Sequence, residues 1–243
     1  GFKCLADTID TSARVDLDPE RVKIILPQDF PMIHGGLNIR LPDVPASQED
    51  RVFNHRLPAA QAFIRANKLD YVSHRSPRRR IGIVTSGKTW LDVQQALQHL
   101  GISNARAADM GLEIYKVAMV WPLEPEGIKN FASGLDEILV VEEKRPLLEE
   151  QIKTILFNLP ANQRPLVVGK QDEQGSSLLP VTLELSLVQI ANAVLSRLAR
   201  YADVHDVAAR LDYLNRQEAL KGDKAPVERK PFYLSLIHIS EPT

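Results

Sequence analysis

A single cysteine, Cys4, in a chain of 243 residues leaves no partner for an internal disulfide and no set of thiolates for a zinc or iron–sulfur site within these residues. Neither sign of charge is in excess: 30 Lys and Arg stand against 31 Asp and Glu, so the balance favours neither nucleic acid nor an anionic membrane as partner. No apolar run is long enough to cross a bilayer and no charged-then-apolar leader opens the chain, so the sequence reads as cytoplasmic. His34, His55, His74, His99 and His205 show no H-x-x-x-H or Cys/His spacing, which removes the usual metal signatures. A G-x-S-x-G nucleophile turn is missing, and there is no repeat or low-complexity tract. With 44% hydrophobic and 25% charged residues, the chain has an ordinary globular composition and enough apolar material for one large or two small domains.

The pattern that is present centres on residues 80–101. A short apolar run, Ile81 to Val84, passes through Thr85-Ser86-Gly87 into a helix whose Trp90, Val93, Ala96, Leu97 and Leu100 share one face, and Gly101 stops it. Ile114 to Val120, Glu137 to Glu142 and Pro165 to Gly169 predict three further strands. Helices are expected over Glu126 to Phe131, Pro146 to Asn158, Leu187 to Leu198 and Val204 to about Leu220. Strands alternating with helices give an α/β class: a mostly parallel open sheet with helices on both faces. Such sheets hold ligands at the carboxyl ends of their strands, so Thr85, Ser86, Gly87 and Trp121 are the candidate contacts. The free N–H groups and dipole at the helix start suit an anionic group. Trp121 either lines a site or plugs the end of the sheet.

Gly82 to Thr89 formally matches the phosphate-loop pattern G-x-x-x-x-G-K-[ST], and Ile138 to Glu142 imitates the magnesium-side strand of such an enzyme, so a phosphate-loop NTPase is the rival reading. It is disfavoured because Gly82 falls inside the apolar run, whereas a cradle needs its first glycine after the strand. A third reading is a pure domain-interaction module.

Towards the amino terminus, Phe2 to Arg14 has helical spacing and Val22 to Leu26 reads as a short buried strand closed by Pro27. Gly35-Gly36 reads as a turn. A helix should start with Ser47 as N-cap and Asp50 at N3 and be kinked by Pro58. Tyr71 to Arg80 reads as a solvated linker, with Arg78-Arg79-Arg80 an exposed face. Lys221 to Lys230 is expected to be loose. Leu234 to Thr243 resembles the translated adapter used in preparing sequencing libraries and is set aside from the fold, together with His238.

Five stretches carry a family resemblance: Gly1 to Thr8, Gly82 to Lys88, Tyr115 to Gly127, Leu135 to Arg145 and Val168 to Glu173. Together they resemble the indolepyruvate:ferredoxin oxidoreductases, in particular their long single-chain bacterial form, within the 2-oxoacid:ferredoxin oxidoreductases. The resemblance implies that residues 1–45 are the tail of the domain holding the pyrimidine side of thiamine diphosphate, and 46–77 a helical linker. It implies a transketolase C-terminal-like domain over 78–200, and over 201–233 a helix and a linker to a further, cysteine-containing domain. The cofactors implied for the whole enzyme are thiamine diphosphate, Mg²⁺ and 4Fe-4S clusters; the partners are ferredoxin, CoA, an aryl pyruvate, neighbouring domains of the chain and a further copy in a homo-oligomer. The reaction implied is oxidative decarboxylation of indolepyruvate or a related aryl pyruvate to the acyl-CoA. None of the catalytic residues is expected in this piece, which should be structural and inactive alone.

Overall fold

The computed structural model describes residues 14, 16–38 and 40–222. Pro45–Asp50 (α1) continues through a π-helical turn at Arg51–Arg56 into Leu57–Asn67 (α2); Tyr71–His74 (β1) and Ile81–Ser86 (β2) follow. Then come Gly87–Leu100 (α3), Asn104–Asp109 (α4), Leu112–Val117 (β3), Pro125–Ala132 (α5), Glu137–Val141 (β4), Leu147–Leu156 (α6), Leu166–Val168 (β5), Leu187–Leu198 (α7) and His205–Gly222 (α8). The expected helix at Phe2 to Arg14 and the tail at Leu234 to Thr243 lie outside the described residues, as does most of Lys221 to Lys230.

The five strands form one sheet in the order β1-β3-β2-β4-β5. β2, β3, β4 and β5 are parallel, with Ile81 opposite both Leu112 and Glu137, and Glu137 opposite Leu166. β1 is an antiparallel edge on β3. Alternation along β2 sends Ile81 and Ile83 to one face, where they meet α3, α4, α7 and the start of α8, and sends Val84 to the other, under α5 and α6. Both faces are therefore covered, as the continuous apolar runs require. Gly82 permits the close approach of α5: a Cβ there would lie 2.6 Å from Phe131 Cζ and 2.7 Å from Leu135 Cδ1, both buried. Gly82→Ala should therefore destabilise the chain by about 1–3 kcal/mol through overpacking; an unchanged urea midpoint would show that the helix can shift away without cost.

Several local expectations are corrected. Val22 to Leu26 is not a buried strand: Val22, Ile24 and Leu26 are 69%, 71% and 73% exposed, because no described strand lies beside them. Tyr71 to Arg80 is not a solvated linker throughout, since Tyr71, Val72 and His74 pair with Lys116, Tyr115 and Ile114. An edge strand tolerates Ser73 and His74 because only part of its side-chain surface needs cover. The first helix begins at Pro45 with Val44 as N-cap, so Ser47 does not cap it. Instead of kinking at Pro58, the helix widens: Leu57 N–H donates to Val52 O, one residue further back than in an α-helix. That turn makes room for a ring that has no N–H to give. Asn104–Asp109, for which the sequence offered only a connection between helix and strand, is helical, with Ser103 accepting from Arg106 N at 3.2 Å. β2 runs two residues beyond Val84, and β3 stops at Val117, because Asp70 Oδ1 takes the N–H groups of Ala118 (2.6 Å) and Met119 (3.4 Å). Pro146 is the N-cap of α6 rather than its first turn. Of the three arginines, Arg78 and Arg80 are exposed as expected and Arg79 is half-buried, and each is tied to a neighbour. Arg79 donates to Glu113 (3.2 Å) and Phe131 O (2.8 Å), Arg80 pairs with Asp136 at 2.9 Å, and Arg78 donates to Asp109 O at 2.9 Å.

Candidate functional site

The connection after β2 leads to β3 on one side, and the connection after β3 crosses to β4 on the other. The carboxyl ends of β2 and β4 therefore flank the point where the strand order reverses, the place where open α/β sheets present ligands. Three of the expected contact residues lie there. Thr85 pairs with Val141 across the two strands, Ser86 is the N-cap of α3, and Gly87 is its first residue with φ at +51°. Ser86 makes no side-chain cap, and a Cβ at Gly87 would meet nothing within 4 Å, so the amino end of α3 is open. Thr85 is fully buried on the same face as Ile81 and Ile83, yet its Oγ1 has no hydrogen-bond partner among the described residues.

An unpartnered buried hydroxyl costs about 1–3 kcal/mol in desolvation. Thr85→Val keeps the shape and removes that cost, so the variant should be more stable than the parent by roughly 1 kcal/mol. A lower melting temperature for Thr85→Val would mean that the hydroxyl is bonded after all.

The charges around this edge are mixed. Lys88, the second residue of α3, donates to Asp92 at 3.0 Å, and that bond raises its pKa against the opposing effect of burial; Glu143 and Glu184 add to the rise. The carboxylates near the open helix end oppose a free anion. Gly82 is the second of the six residues of β2, paired between Glu113 and Ile138, and Thr89 is buried; residues 82–89 are therefore strand and helix, not a phosphate cradle. The NTPase reading fails on that geometry.

Trp121 follows β3 on the same edge. It is 54% exposed, which settles against a plug in the core. Its loop is braced instead. Gln151 donates to Val120 O and accepts from Leu123 N, while Gln61 donates to Leu123 O, at 2.8–2.9 Å. The Trp121–Pro122 peptide bond is cis.

A second set of buried groups gathers at the ends of β4 and β5, where Glu142 stood out in the sequence only as part of the imitation of a magnesium-side strand. Glu142 accepts from Leu148 N (2.8 Å) and Glu149 N (3.0 Å), capping α6 in place of the proline at its N-cap position. Burial raises the Glu142 pKa, and those two N–H groups pull it back. Buried Lys170 donates to Glu142 O (2.5 Å) and Pro180 O (3.2 Å), and burial lowers its pKa. Glu149 Oε2 accepts from Lys170 N at 2.9 Å and fills the space a side chain at Gly169 would need. These groups hold the carboxyl edge rigid; each polar atom is spent on backbone or a neighbour.

The family model described as the indolepyruvate oxidoreductase domain matches residues 72–221, most of the chain and all five strands apart from the first residue of β1. The chain belongs to this family. Among curated relatives, the indolepyruvate oxidoreductase subunit IorA of Pyrococcus horikoshii is 29% identical over 115 residues, covering 47% of this chain and 15% of that protein. That of Methanothermobacter thermautotrophicus is 28% identical over 116 residues, 46% and 18%. The aligned part of this chain thus spans less than a fifth of the length of these relatives. Two solved structures overlap in part. A split-gene transketolase in an inactive β4 tetramer gives a TM-score of 0.37 at 16% identity, over 55% of this chain and 42% of that one. The 2-oxoglutarate:ferredoxin oxidoreductase from Magnetococcus marinus, with 2-oxoglutarate, coenzyme A and succinyl-CoA bound, gives 0.40 at 18%, over 64% and 24%. The fold rests on the strand order above, not on these overlaps.

Proposed function

We propose that this chain is part of a thiamine-diphosphate-dependent oxidoreductase of the long single-chain form that oxidatively decarboxylates indolepyruvate or a related aryl pyruvate. The carboxylate leaves as CO₂, two electrons pass to ferredoxin and the acyl group goes to CoA; cofactors outside this chain carry that chemistry. The observation that carries the reading is the match of the indolepyruvate oxidoreductase domain over residues 72–221. The residues present do not fit the cofactors themselves. Among the described residues no group of three His, Cys, Asp or Glu could hold a metal ion, and Cys4 is the only cysteine.

The role proposed for this piece is structural. Its carboxyl edge faces the cofactor-bearing domains, with Thr85, Ser86, Gly87 and Trp121 as the contacts, in a cytoplasmic homo-oligomer. A pure interaction role is favoured by one further feature: half-exposed Trp121 shares the carboxyl side of the sheet with exposed Leu147, at the start of α6, and with Val181 and Leu183, which follow β5. Expression of the complete reading frame tests the proposal. Indolepyruvate-dependent ferredoxin reduction is expected, and a complete, cofactor-loaded protein without it would overturn the reading. In that enzyme, Trp121→Ala should change kcat or KM if the edge meets the cofactor domains, and oligomer stability alone if it only docks them.

A further inference from the structure

We propose that the cavity between β1, α3 and α4 binds an adenine nucleotide, the base lying among Gln94, Gln98 and Asn104 and the phosphate meeting Arg210. The site is separate from the carboxyl edge and from the scaffold role proposed for it: none of Thr85, Ser86, Gly87 and Trp121 lines the cavity.

The cavity measures about 400 Å³, within the range of roughly 300–1,000 Å³ usual for small-molecule sites. Its floor is apolar, formed by the buried residues Leu97, Ile102 and Ala107. Its walls carry the imidazole of His74, the side-chain amides of Gln94, Gln98 and Asn104 and the Ser103 hydroxyl, and no Asp, Glu, Lys or Arg. An apolar floor under uncharged donors and acceptors suits a flat, neutral heterocycle that pairs along its edge rather than a bare ion.

The amides are free for such pairing. His74 Nε2 lies 2.9 Å from Asn104 Oδ1, and because an amide oxygen can only accept, this nitrogen carries the proton. His74 Nδ1 faces Ser73 Oγ at 3.2 Å and Gln94 Nε2 at 3.5 Å. Those contacts leave Gln94 Oε1, Asn104 Nδ2 and both ends of the Gln98 amide without a partner among the described residues. An acceptor and a donor side by side on one amide match the amino group and the adjacent ring nitrogen of adenine.

Arg210, on α8, supplies the charge. Its guanidinium lies against Gly101, which lines the cavity: a Cβ at Gly101 would sit 2.5 Å from Nη1 and 2.6 Å from Cζ. The carboxyl end of α3 attracts a cation to that spot, which accounts for the packing but does not use the N–H groups. Arg210 has no hydrogen-bond or ion-pair partner among the described residues, whereas Arg106 is held by Asp206 at 3.0 Å. An uncommitted guanidinium at the rim of a neutral cavity is suited to the phosphate of a ligand whose base lies inside.

Calorimetric titration of the 243-residue chain with AMP, adenosine and ribose 5-phosphate tests this. AMP should bind saturably at submillimolar concentration, adenosine roughly tenfold more weakly for want of the charged bond, and ribose 5-phosphate more weakly than AMP for want of the base. Gln98→Leu and Asn104→Leu should each weaken AMP and adenosine alike by about threefold to tenfold, while Arg210→Gln should bring AMP to the level of adenosine and leave adenosine unchanged. In the parent chain AMP should also shift the His74 imidazole resonances, a readout that needs no variant to fold. Coenzyme A as competitor separates two sources of such a group: displacement of AMP assigns the site to the nucleotide end of a larger cofactor, no displacement to a free mononucleotide, and both support the site. Absence of saturable AMP binding overturns the proposal. So does ribose 5-phosphate binding as tightly as AMP, which would leave a surface cation holding phosphate and no site for a base.

Discussion

Arg197→Met should cost this chain about 3–5 kcal/mol of unfolding free energy, the usual loss when one partner of a buried ion pair is removed. Glu137 opens β4 and is fully buried. Arg197 in α7 meets it with two bonds, Nε to Oε1 at 2.5 Å and Nη2 to Oε2 at 3.0 Å, and its Nη2 also reaches Glu173 at 2.8 Å. Tyr201 donates to the same Glu137 carboxylate at 2.8 Å, and Arg200 lies 3.8 Å from it while bonding Glu173. The cluster pins α7 across the amino end of β4. Without Arg197 the Glu137 carboxylate stays in the interior with one hydroxyl and a distant guanidinium, and methionine fills the space but not the charge. Replacing both residues with apolar side chains should recover most of the loss, since the penalty comes from the uncompensated charge rather than from a missing attraction. Urea unfolding of the two single variants and the double variant gives the coupling energy. A loss below about 1 kcal/mol for Arg197→Met would mean that water reaches Glu137 and that the pair behaves as a surface one.

Neither Glu137 nor Arg197 stood out in the sequence, and the reason is general to this chain. What was legible followed from period and punctuation. Leu187–Leu198 was read at both ends because the helical spacing is clean, and in the structure a capping box of Ser186 and Gln189 fixes its start. The unit from β2 to α3 was read because an apolar run meets a helical face at one small-residue turn, which also placed Thr85, Ser86 and Gly87 at a strand's carboxyl end. What was illegible depended on partners far along the chain. β1 was missed because four residues with Ser73 and His74 among them carry little alternation, and only β3 makes them a strand. α4 was missed because six residues are too few for a period. Val22 to Leu26 was read from its β-branched composition as a buried strand and is neither, since both pairing and burial require a neighbour. At the site, the orphaned Thr85 Oγ1, the acids around Lys88 and the bracing of the Trp121 loop by Gln61 and Gln151 all come from tertiary placement that no local window contains.

The 243-residue chain alone should bind neither thiamine diphosphate nor iron and should not decarboxylate indolepyruvate. A diphosphate held through Mg²⁺ needs several oxygen ligands converging at about 2.0–2.1 Å. Among the described residues no three acidic or histidine side chains converge that way. The acids that do lie near the carboxyl edge are committed: Glu142 caps α6, Glu149 holds the Lys170 amide and the Lys153 ammonium, and Glu143 accepts from Leu185 N. Recruiting Glu142 for a metal would undo the start of α6, at about 0.5–2 kcal/mol for a lost cap, and recruiting Glu149 or Glu143 would strip Lys170, Lys153 or Leu185 of a partner. One cysteine cannot supply the four thiolates of a cluster within one chain. The open amino end of α3 is a place where a phosphate could still meet free N–H groups, and there Glu143 and Glu184 act on Lys88 from close by, so any contact should be weak and weaken further with salt. Calorimetric titration of the chain with thiamine diphosphate and Mg²⁺ should show no saturable heat at micromolar cofactor, and purified protein should carry no iron absorbance. Saturable micromolar binding that Thr85→Val abolishes would place a cofactor site on this edge and turn the proposed scaffold into part of the catalytic machinery.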